Sequence, residues 1–322
     1  MKEIKRIGLG TFPFAGVFGQ MEEKNVAEII DQFFSYGGRL IHVAPVYAMG
    51  KVEEIVGNIL KRYERNKYTL MTCCGWVIEN GNSRRSAKYD EVVNCCENSL
   101  SVLNTDYIDI YMLHLPDLQT PAQETADALS KLLEQGKIKE ICVSNVDLEQ
   151  LKAYNKYGNI SYIQNRMSLI NQSIDTEFRT YCKDNNIKLM AYQSIERGLL
   201  TSRVLGNFGF AENDLRLKKP EFAENTIKEI ASFVKATLLP IAESLSIPIS
   251  SLALKWLLDT QYADISLCGI SKNRYFDDVL AVDNTPSLSP EVIETINEGY
   301  KIFSDKIESI YNISVRTLIG TA

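Results

Sequence analysis

The sequence contains only two histidines, His42 and His114, and no Cys/His spacing typical of a zinc site. We therefore predict no structural metal. Basic residues are also never clustered, since no Lys/Arg run exceeds three residues and the formal net charge is −6. These two features argue against nucleic acid or an anionic membrane surface as a partner, and a small-molecule substrate is expected instead.

Long apolar runs are missing as well. No stretch of 18 apolar residues exists, and the start, MKEIKRIGLG, lacks the apolar segment of a signal peptide. The seven cysteines are an odd number and include the adjacent pairs Cys73-Cys74 and Cys95-Cys96. This usage favours free thiols in a reducing compartment over a disulfide framework, so a cytoplasmic location is expected. The sequence does not decide between a monomer and a homo-oligomer.

Short apolar segments of strand length recur along the chain and are separated by segments with helical periodicity. We predict a single domain over residues 1–322. The eight predicted strands are Arg6–Leu9, Leu40–Val43, Tyr68–Thr72, Ile108–Leu113, Ile141–Ser144, Tyr162–Gln164, Lys188–Tyr192 and Asp264–Cys268. The predicted helices are Glu23–Tyr36, Lys51–Arg65, Tyr89–Leu103, Ala122–Glu134, Leu148–Tyr157, Thr176–Asn185, Ile227–Leu245, Ser250–Leu258 and Pro290–Ile302.

Eight strand–helix units of this spacing are typical of an α/β protein with a (β/α)8 TIM barrel. The alternative is an open, doubly wound sheet, but Gly8-Leu9-Gly10 lacks the third glycine and the following helix of a dinucleotide fingerprint. The stretch Gln193–Thr226, after the seventh strand, is long and irregular, which is typical of a functional loop. An extra C-terminal helix follows the eighth strand, and Ser304–Ala322 carries no clear pattern.

Polar and aromatic residues follow the predicted strands at their carboxyl ends, where ligands bind in a barrel of this kind. Each of these residues alone could be a packing or surface residue, but together they indicate a site. The set comprises Gly10-Thr11, His42 through Tyr47, Cys73, His114, Ser144-Asn145, Gln164, Tyr192 and Gly269.

The chain resembles the aldo-keto reductase superfamily from about Ile4 to about Leu288. The segments that carry this resemblance are IGLGTF, APVYAMGKVEEIVG, DIYMLHLPD, CVSN, YQSIERGLL, DLRLKKPEFAEN and IPISSLALKWLL. The resemblance implies a (β/α)8 barrel that reduces carbonyl groups with NADPH. It also implies that Tyr47 is the general acid and that His114 orients the substrate carbonyl, since a carbonyl oxygen that becomes an alkoxide needs a proton donor and fixed hydrogen bonds.

Two members of the family's catalytic tetrad are replaced, so the chain resembles a divergent member. His42 stands where the family has an aspartate, and Cys73 stands where it has a lysine. The joint loss is physically reasonable, because removal of one partner alone would leave a buried charge at a cost of roughly 3–5 kcal/mol. Without the ammonium group, the pKa of Tyr47 is expected near the ordinary phenol value of about 10.

His42 and Cys73 have two interpretations. They could form a thiolate–imidazolium pair that partly replaces the lost charges and takes part in catalysis. The alternative, which we favour, is that both simply fill the space that the ion pair has left.

The resemblance also implies a nicotinamide site. Ser144, Asn145 and Gln164 match the residues that hold the carboxamide, Tyr192 matches the aromatic that stacks on the ring, and Arg197-Gly198-Leu199 fits the loop around the pyrophosphate. NADP is favoured over NAD by the resemblance, but the segment for the 2′-phosphate departs from the family pattern. The residues available there are Ser271, Lys272 and Arg274.

Three hypotheses follow for the function. The first is a nicotinamide-dependent carbonyl reductase, and DLRLKKPEFAEN resembles branches of the family that act on sugars and small aldehydes. The second is a non-redox isomerase, epimerase or dehydratase that uses Tyr47, His114, His42 and Cys73 as acid and base. The third is a non-catalytic, nucleotide-binding member of the family.

Overall fold

A computed structural model describes residues 5–79, 81–157, 159–172, 174–206 and 208–320 of the chain, and only the backbone of residue 280 and of residues 308–320. Its strands are β1 Ile7–Gly10, β2 Leu40–His42, β3 Thr69–Cys74, β4 Trp76–Glu79, β5 Asn82–Arg85, β6 Ile108–Leu113, β7 Ile138–Ser144, β8 Ile160–Arg166, β9 Lys188–Tyr192 and β10 Ile265–Gly269. Its helices are α1 Glu23–Ser35, α2 Lys51–Leu60, α3 Tyr89–Leu103, α4 Ala122–Glu134, α5 Leu148–Asn155, α6 Thr176–Asp184, α7 Glu224–Phe233, α8 Leu239–Ser244, α9 Ile249–Asp259, α10 Phe276–Asn284 and α11 Pro290–Gly320.

Eight parallel strands of this described part close into a barrel in the order β1-β10-β9-β8-β7-β6-β3-β2. The first strand pairs with both the second and the last, for example Leu9 with Ile41 and Leu9 with Cys268. The predicted (β/α)8 barrel is therefore confirmed, and the open sheet is excluded. All eight carboxyl ends face one side, which we call the mouth.

The barrel interior is a packed core, so a ligand can enter only at the mouth. Buried side chains from β2, β3, β6, β7, β8, β9 and β10 fill it, and Met71, Met112 and Tyr162 are among the largest. A second apolar layer lies between the strands and the surrounding helices. This layering is typical of the fold.

Several elements differ from the sequence prediction. The hairpin β4–β5 was not predicted, because its second strand, Asn82–Arg85, is polar and largely exposed and carries no hydrophobic alternation. The second helix ends at Leu60 rather than Arg65, because Arg65 turns inward to bond the carbonyl of Tyr107 and the carboxylate of Asp109. Helix α10 was also missed, and α11 continues to Gly320 through a segment without a clear pattern.

Residues 193–223, which we call the β9–α7 loop, contain only short helical turns in their described part, as the sequence predicted. The loop contacts the segment after β1, and in the barrel only β10 lies between β1 and β9. The amide of Leu215 donates to the carbonyl of Val17 at 2.9 Å, and the Arg216 guanidinium lies 4.9 Å from the Phe18 ring centre. The loop thus bridges the segments that follow β9 and β1.

A search of the described residues for membrane spans finds no single helix that is long and apolar enough. One pair of helical segments, Glu224–Ser244 and Ile249–Asp259, is bent by 88° and meets the criteria for a span together, by length and composition only.

Glu53 is a buried carboxyl that joins α2 to the barrel. It is 1% exposed, and its Oε1 accepts a 2.6 Å hydrogen bond from the Thr72 hydroxyl on β3. Burial raises the pKa of Glu53 from 4.5 to about 7, although hydrogen bonds from Thr72 and Ser99 oppose this shift. The folded state therefore favours the protonated form. The associated stability is fully present below the unfolded pKa and is lost as the pH rises through about 7.

The neutral variant Glu53→Gln should remove this dependence. We expect the free energy of unfolding of the variant, relative to the wild type, to rise by about 2–3 kcal/mol between pH 5 and pH 8. Urea denaturation at both pH values measures this difference. The exposed neighbour supplies the control Glu54→Gln, for which the difference should change little. If the two variants show the same pH dependence, Glu53 is not buried as described.

Candidate active site at the mouth of the barrel

Tyr47 is held over the mouth by a tight turn after β2. Its amide donates to the carbonyl of Ala44 at 3.0 Å. The next two residues, Ala48 and Met49, have φ of 49° and 52°, in the left-handed region. Non-glycine residues pay roughly 1–2 kcal/mol each for this conformation. The turn is therefore strained, and it places the Tyr47 phenol over the mouth.

The Tyr47 ring is surrounded by three other rings. The ring centroids of His42 and His114 lie 6.1 Å and 6.4 Å away, both edge-on, and that of Phe12 lies 5.1 Å away. His42 is 4% exposed, and its Nε2 has no hydrogen-bond partner among the described residues. His114 and Tyr47 are mostly buried, although less completely than His42. The predicted phenol and both imidazoles therefore lie together.

Cys73 contacts a different histidine from the one proposed in the sequence interpretation. Its Sγ lies 3.5 Å from Nδ1 of His114, whereas no hydrogen bond joins it to His42 in the described part of the chain. The pairing follows from the topology, because β3 and β6 are neighbours and the His114 amide bonds the carbonyl of Cys74 at 3.0 Å. The register of these two strands was not readable from the sequence.

The four groups are neutral at pH 7. Burial lowers the pKa of His42 to about 3, helped by the nearby His114, and lowers the pKa of His114 to about 4. Burial raises the pKa of the Cys73 thiol well above its ordinary value. These directions oppose a thiolate–imidazolium pair at positions 42 and 73, so that interpretation is wrong for this structure.

Burial also raises the pKa of Tyr47 well above 10, with smaller contributions from Cys73 and Tyr192. The expectation of an ordinary phenol pKa is therefore wrong. It considered only the missing lysine and neglected the desolvation of the phenolate. The consequence for chemistry is that Tyr47 keeps its proton throughout the neutral range.

Asn145 connects the ends of four strands and has φ of 57°. Its Nδ2 donates to the carbonyl of His114 at 2.9 Å and to Ser144 Oγ at 3.0 Å. Its Oδ1 accepts from the Tyr192 hydroxyl at 2.6 Å, and its amide donates to the carbonyl of Gln164 at 3.1 Å. We call these five residues the strand-end network. It holds Tyr192 and the carboxamide candidates on the same side of the mouth as His114.

The residues of this network fit a nicotinamide carboxamide. Gln164 is 3% exposed, and its Nε2 has no partner among the described residues, although its Oε1 accepts a 3.4 Å bond from Ser144 Oγ. A buried amide donor without a partner costs about 1–3 kcal/mol, so a ligand carbonyl beside it would be favourable. Tyr192 is half-buried next to it and offers a flat ring for stacking.

A buried ionic network behind Tyr192 was missed in the sequence. Arg166, at the end of β8, bonds Glu196 at 2.5 Å and lies 3.5 Å from Glu221, while Ser168 donates to Glu196 at 2.6 Å. Arg197 bonds Glu221 at 3.0 Å. The sequence feature that could have revealed this network is the position of Arg166, two residues beyond Gln164 on the same strand. The network fixes the start of the β9–α7 loop.

Further along, the β9–α7 loop is held by Arg216. The guanidinium bonds both carboxylate oxygens of Asp214 and the carbonyl of Arg197. Gly198 has φ of 102°, and Gly198 and Leu199 are buried under this contact. The predicted pyrophosphate segment is thus rigidly placed. The rings that surround the guanidinium are Phe18, Phe208, Phe210 and Phe222.

The third predicted cofactor segment lies between β10 and α10. Ser271 is half-buried, and Lys272 and Arg274 are exposed. Burial would raise the pKa of Tyr275, but a hydrogen bond from Arg274 and the charges of Arg203, Arg274 and Lys272 lower it. Arg274 lies 5.0 Å from the ring centre and bonds the hydroxyl at 3.0 Å. A cavity of about 250 Å³ opens nearby, with Thr201, Ser202 and Asp278 in its lining.

In the described residues, no group of three or more His, Cys, Asp and Glu side chains is arranged to hold a metal ion.

Comparisons with known proteins agree with this geometry. The model of the Aldo/keto reductase family matches residues 6–301. The chain is similar to the aldo-keto reductase YhdN of Bacillus subtilis, with 36% identity over 84% of this chain and 82% of that protein. It is also similar to the NADH-specific methylglyoxal reductase of Escherichia coli, with 30% identity over 79% and 82%.

Among solved structures, the glycerol dehydrogenase AKR11B4 of Gluconobacter oxydans superposes with a TM-score of 0.85 at 28% identity and covers 94% of both chains. The barrel, the strand-end network and these matches lead to the same conclusion: the chain belongs to the aldo/keto reductase family.

Proposed function

We propose that this protein reduces the carbonyl group of a small molecule with a nicotinamide cofactor, with Tyr47 as the proton donor and His114 as the group that orients the carbonyl. The observation that carries the proposal is the strand-end network. It ties the backbone of His114 to Asn145 and Tyr192, so that the proton donors and the nicotinamide pocket share one mouth.

The cofactor would be held by Ser144, Asn145 and Gln164 at its carboxamide and by Tyr192 on the face of its ring. When bound, the nicotinamide supplies the hydride that reduces the carbonyl carbon. His114 holds the carbonyl oxygen by a hydrogen bond, and Tyr47 transfers its Oη proton to that oxygen as negative charge develops on it. Phe12 packs edge-on against Tyr47, with ring centroids 5.1 Å apart.

The loss of the family's lysine–aspartate ion pair affects the acidity of Tyr47. Cys73 supplies no ammonium at the position of the family's lysine, and burial raises the pKa of Tyr47 well above 10, so the phenol is a permanent but weak acid. General acid catalysis is most efficient when the pKa of the acid lies near the working pH. We therefore infer that the protein is a slower reductase than members with the full tetrad.

The preference for NADP is part of the proposal. Arg203, Lys272 and Arg274 surround Tyr275 with positive charge, and an extra phosphate is attracted by such a cluster. The E. coli relative is named NADH-specific, so family membership alone does not decide between the two cofactors.

For the substrate, we propose a sugar-like or other small polar carbonyl compound. The aromatic faces of Phe12 and Phe18, 6.1 Å apart, suit the C–H face of such a molecule, and the two imidazoles suit its oxygens. We also propose a cytoplasmic location, which is supported by the free thiols of all seven cysteines.

Cofactor binding and turnover test the proposal directly. Titration of the intrinsic fluorescence should saturate with NADPH at lower concentration than with NADH. Oxidation of NADPH, followed by absorbance with a panel of small aldehydes and hydroxyketones, should be lowered about 10²–10⁴-fold by Tyr47→Phe, because the proton donor is removed. The NADPH affinity of this variant should stay unchanged.

The exposed Tyr36 provides the matched control Tyr36→Phe, which should keep full activity. The proposal fails if neither nucleotide changes the fluorescence, or if Tyr47→Phe reduces the carbonyl as fast as the wild type. Turnover without any change in nicotinamide absorbance would favour the isomerase hypothesis instead.

The pH profile of reduction tests the neutral site. His42 and His114 titrate at about 3 and 4, and Cys73 and Tyr47 titrate well above their ordinary values. No group at the centre of the site therefore changes charge between pH 5 and pH 9. We expect the single-turnover rate of hydride transfer, verified by the isotope effect of deuterated NADPH, to be constant across this interval. If the rate instead rises or falls with a midpoint between pH 6 and pH 8.5, a group that changes charge in this interval controls hydride transfer.

A further inference from the structure

The two histidines of the mouth differ in what their rings contact. His42 lies edge-on to Tyr47, and its Nε2 is buried without a partner among the described residues. His114 has a specific partner, because its Nδ1 lies 3.5 Å from the Cys73 sulfur. This contact is the only hydrogen bond of the Cys73 side chain within the described residues.

The direction of this hydrogen bond follows from the chemistry of the two groups. A thiol is a weak donor and its sulfur is a weak acceptor, whereas the unprotonated nitrogen of a neutral imidazole is a good acceptor. Burial keeps the Cys73 thiol protonated and the His114 ring neutral. The arrangement with the S–H donating to Nδ1 therefore uses the stronger acceptor.

A neutral imidazole has one N–H, so the partner of Nδ1 decides what Nε2 can do. If Nδ1 accepts, Nε2 carries the proton and is a donor. If Nδ1 carried the proton, Nε2 would present a lone pair and would repel the oxygen of a carbonyl. Orientation of a carbonyl by His114 thus requires the first tautomer.

We propose that Cys73 is a positioning residue that fixes the Nε2–H tautomer of His114 by donating its thiol proton to Nδ1. The cysteine then has a function of its own at the position where the family has a lysine. The role in reduction rests on the proposed function, but the tautomer is a property of the free protein and can be measured without any substrate.

The local structure makes this pair rigid. Cys73 is 1% exposed at the end of β3. The His114 amide bonds the carbonyl of Cys74, and the His114 carbonyl accepts from Asn145. Neighbouring strands therefore fix the backbone on both sides of the contact, which keeps the His114 ring next to the Cys73 thiol.

Nitrogen NMR of the full-length protein tests the proposal, because the chain contains only two histidines. With ¹⁵N-labelled histidine at pH 7, the His114 ring should show a protonated Nε2 and an unprotonated Nδ1. A His42→Gln variant assigns the two rings. Cys73→Ser keeps a donor of similar size and should keep this pattern, whereas Cys73→Ala should shift the His114 ring toward a mixture of tautomers. The His42 ring should be unaffected by either variant.

Kinetics provide the second measurement. Cys73→Ala should lower kcat for carbonyl reduction about tenfold and leave NADPH binding unchanged, and Cys73→Ser should recover most of the loss. The urea midpoint of each variant shows whether it is folded, and Cys73→Val repeats the test without a cavity if the alanine variant is unstable.

The proposal is overturned if His114 carries its proton on Nδ1 in the wild type, or if the alanine and valine variants keep the wild-type tautomer. If the NMR spectra show the predicted tautomers but the protein reduces no carbonyl compound, the proposed function is refuted and the role of Cys73 stands. Turnover that is insensitive to Cys73 would refute that role and leave the proposed function intact.

Discussion

The structure depends on the hydrogen bonds of one side chain, Asn145. Its amide group uses both its nitrogen and its oxygen to join His114, Ser144 and Tyr192, which belong to different strand ends. The backbone amide of Asn145 adds Gln164. Because the barrel is closed and its interior is packed, these strand ends cannot separate without breaking the sheet. The imidazole of His114 and the amide pocket are therefore held close together.

A second constraint is electrostatic. A reductase site with a buried lysine and aspartate carries two charges that stabilise each other, whereas His42 and Cys73 carry none here. Burial then acts on each remaining group and drives all of them toward their neutral forms. The absence of charge accords with the raised pKa of Tyr47 and with the hydrogen bond that we propose from the Cys73 thiol to His114.

The sequence predicted the parts of the molecule that rest on local patterns. Strand-length apolar runs such as Ile108–Leu113 and helical periodicity predicted the barrel, and the residues after the strands predicted what lies at the mouth. It could not predict contacts set by register, such as that between Cys73 and His114, or the buried network of Arg166 and Glu196. Nor could it predict the pKa of Tyr47, because desolvation depends on the packing of side chains that are distant in the chain. The hairpin β4–β5 was missed since its second strand is polar, largely exposed and without hydrophobic alternation.

The central claim is that Tyr47 lies in an uncharged, desolvated site, and its titration is the most direct test. The chain has 16 tyrosines, so spectra of ¹³Cζ-labelled tyrosine should be compared between the wild type and Tyr47→Phe from pH 6 to pH 10.5. We expect the signal that the variant lacks to stay at its protonated position throughout. In His42→Asp/Cys73→Lys, a buried ion pair should lower the pKa of Tyr47 by about 1–3 units. A Tyr47 signal that titrates below pH 10 in the wild type would contradict the account.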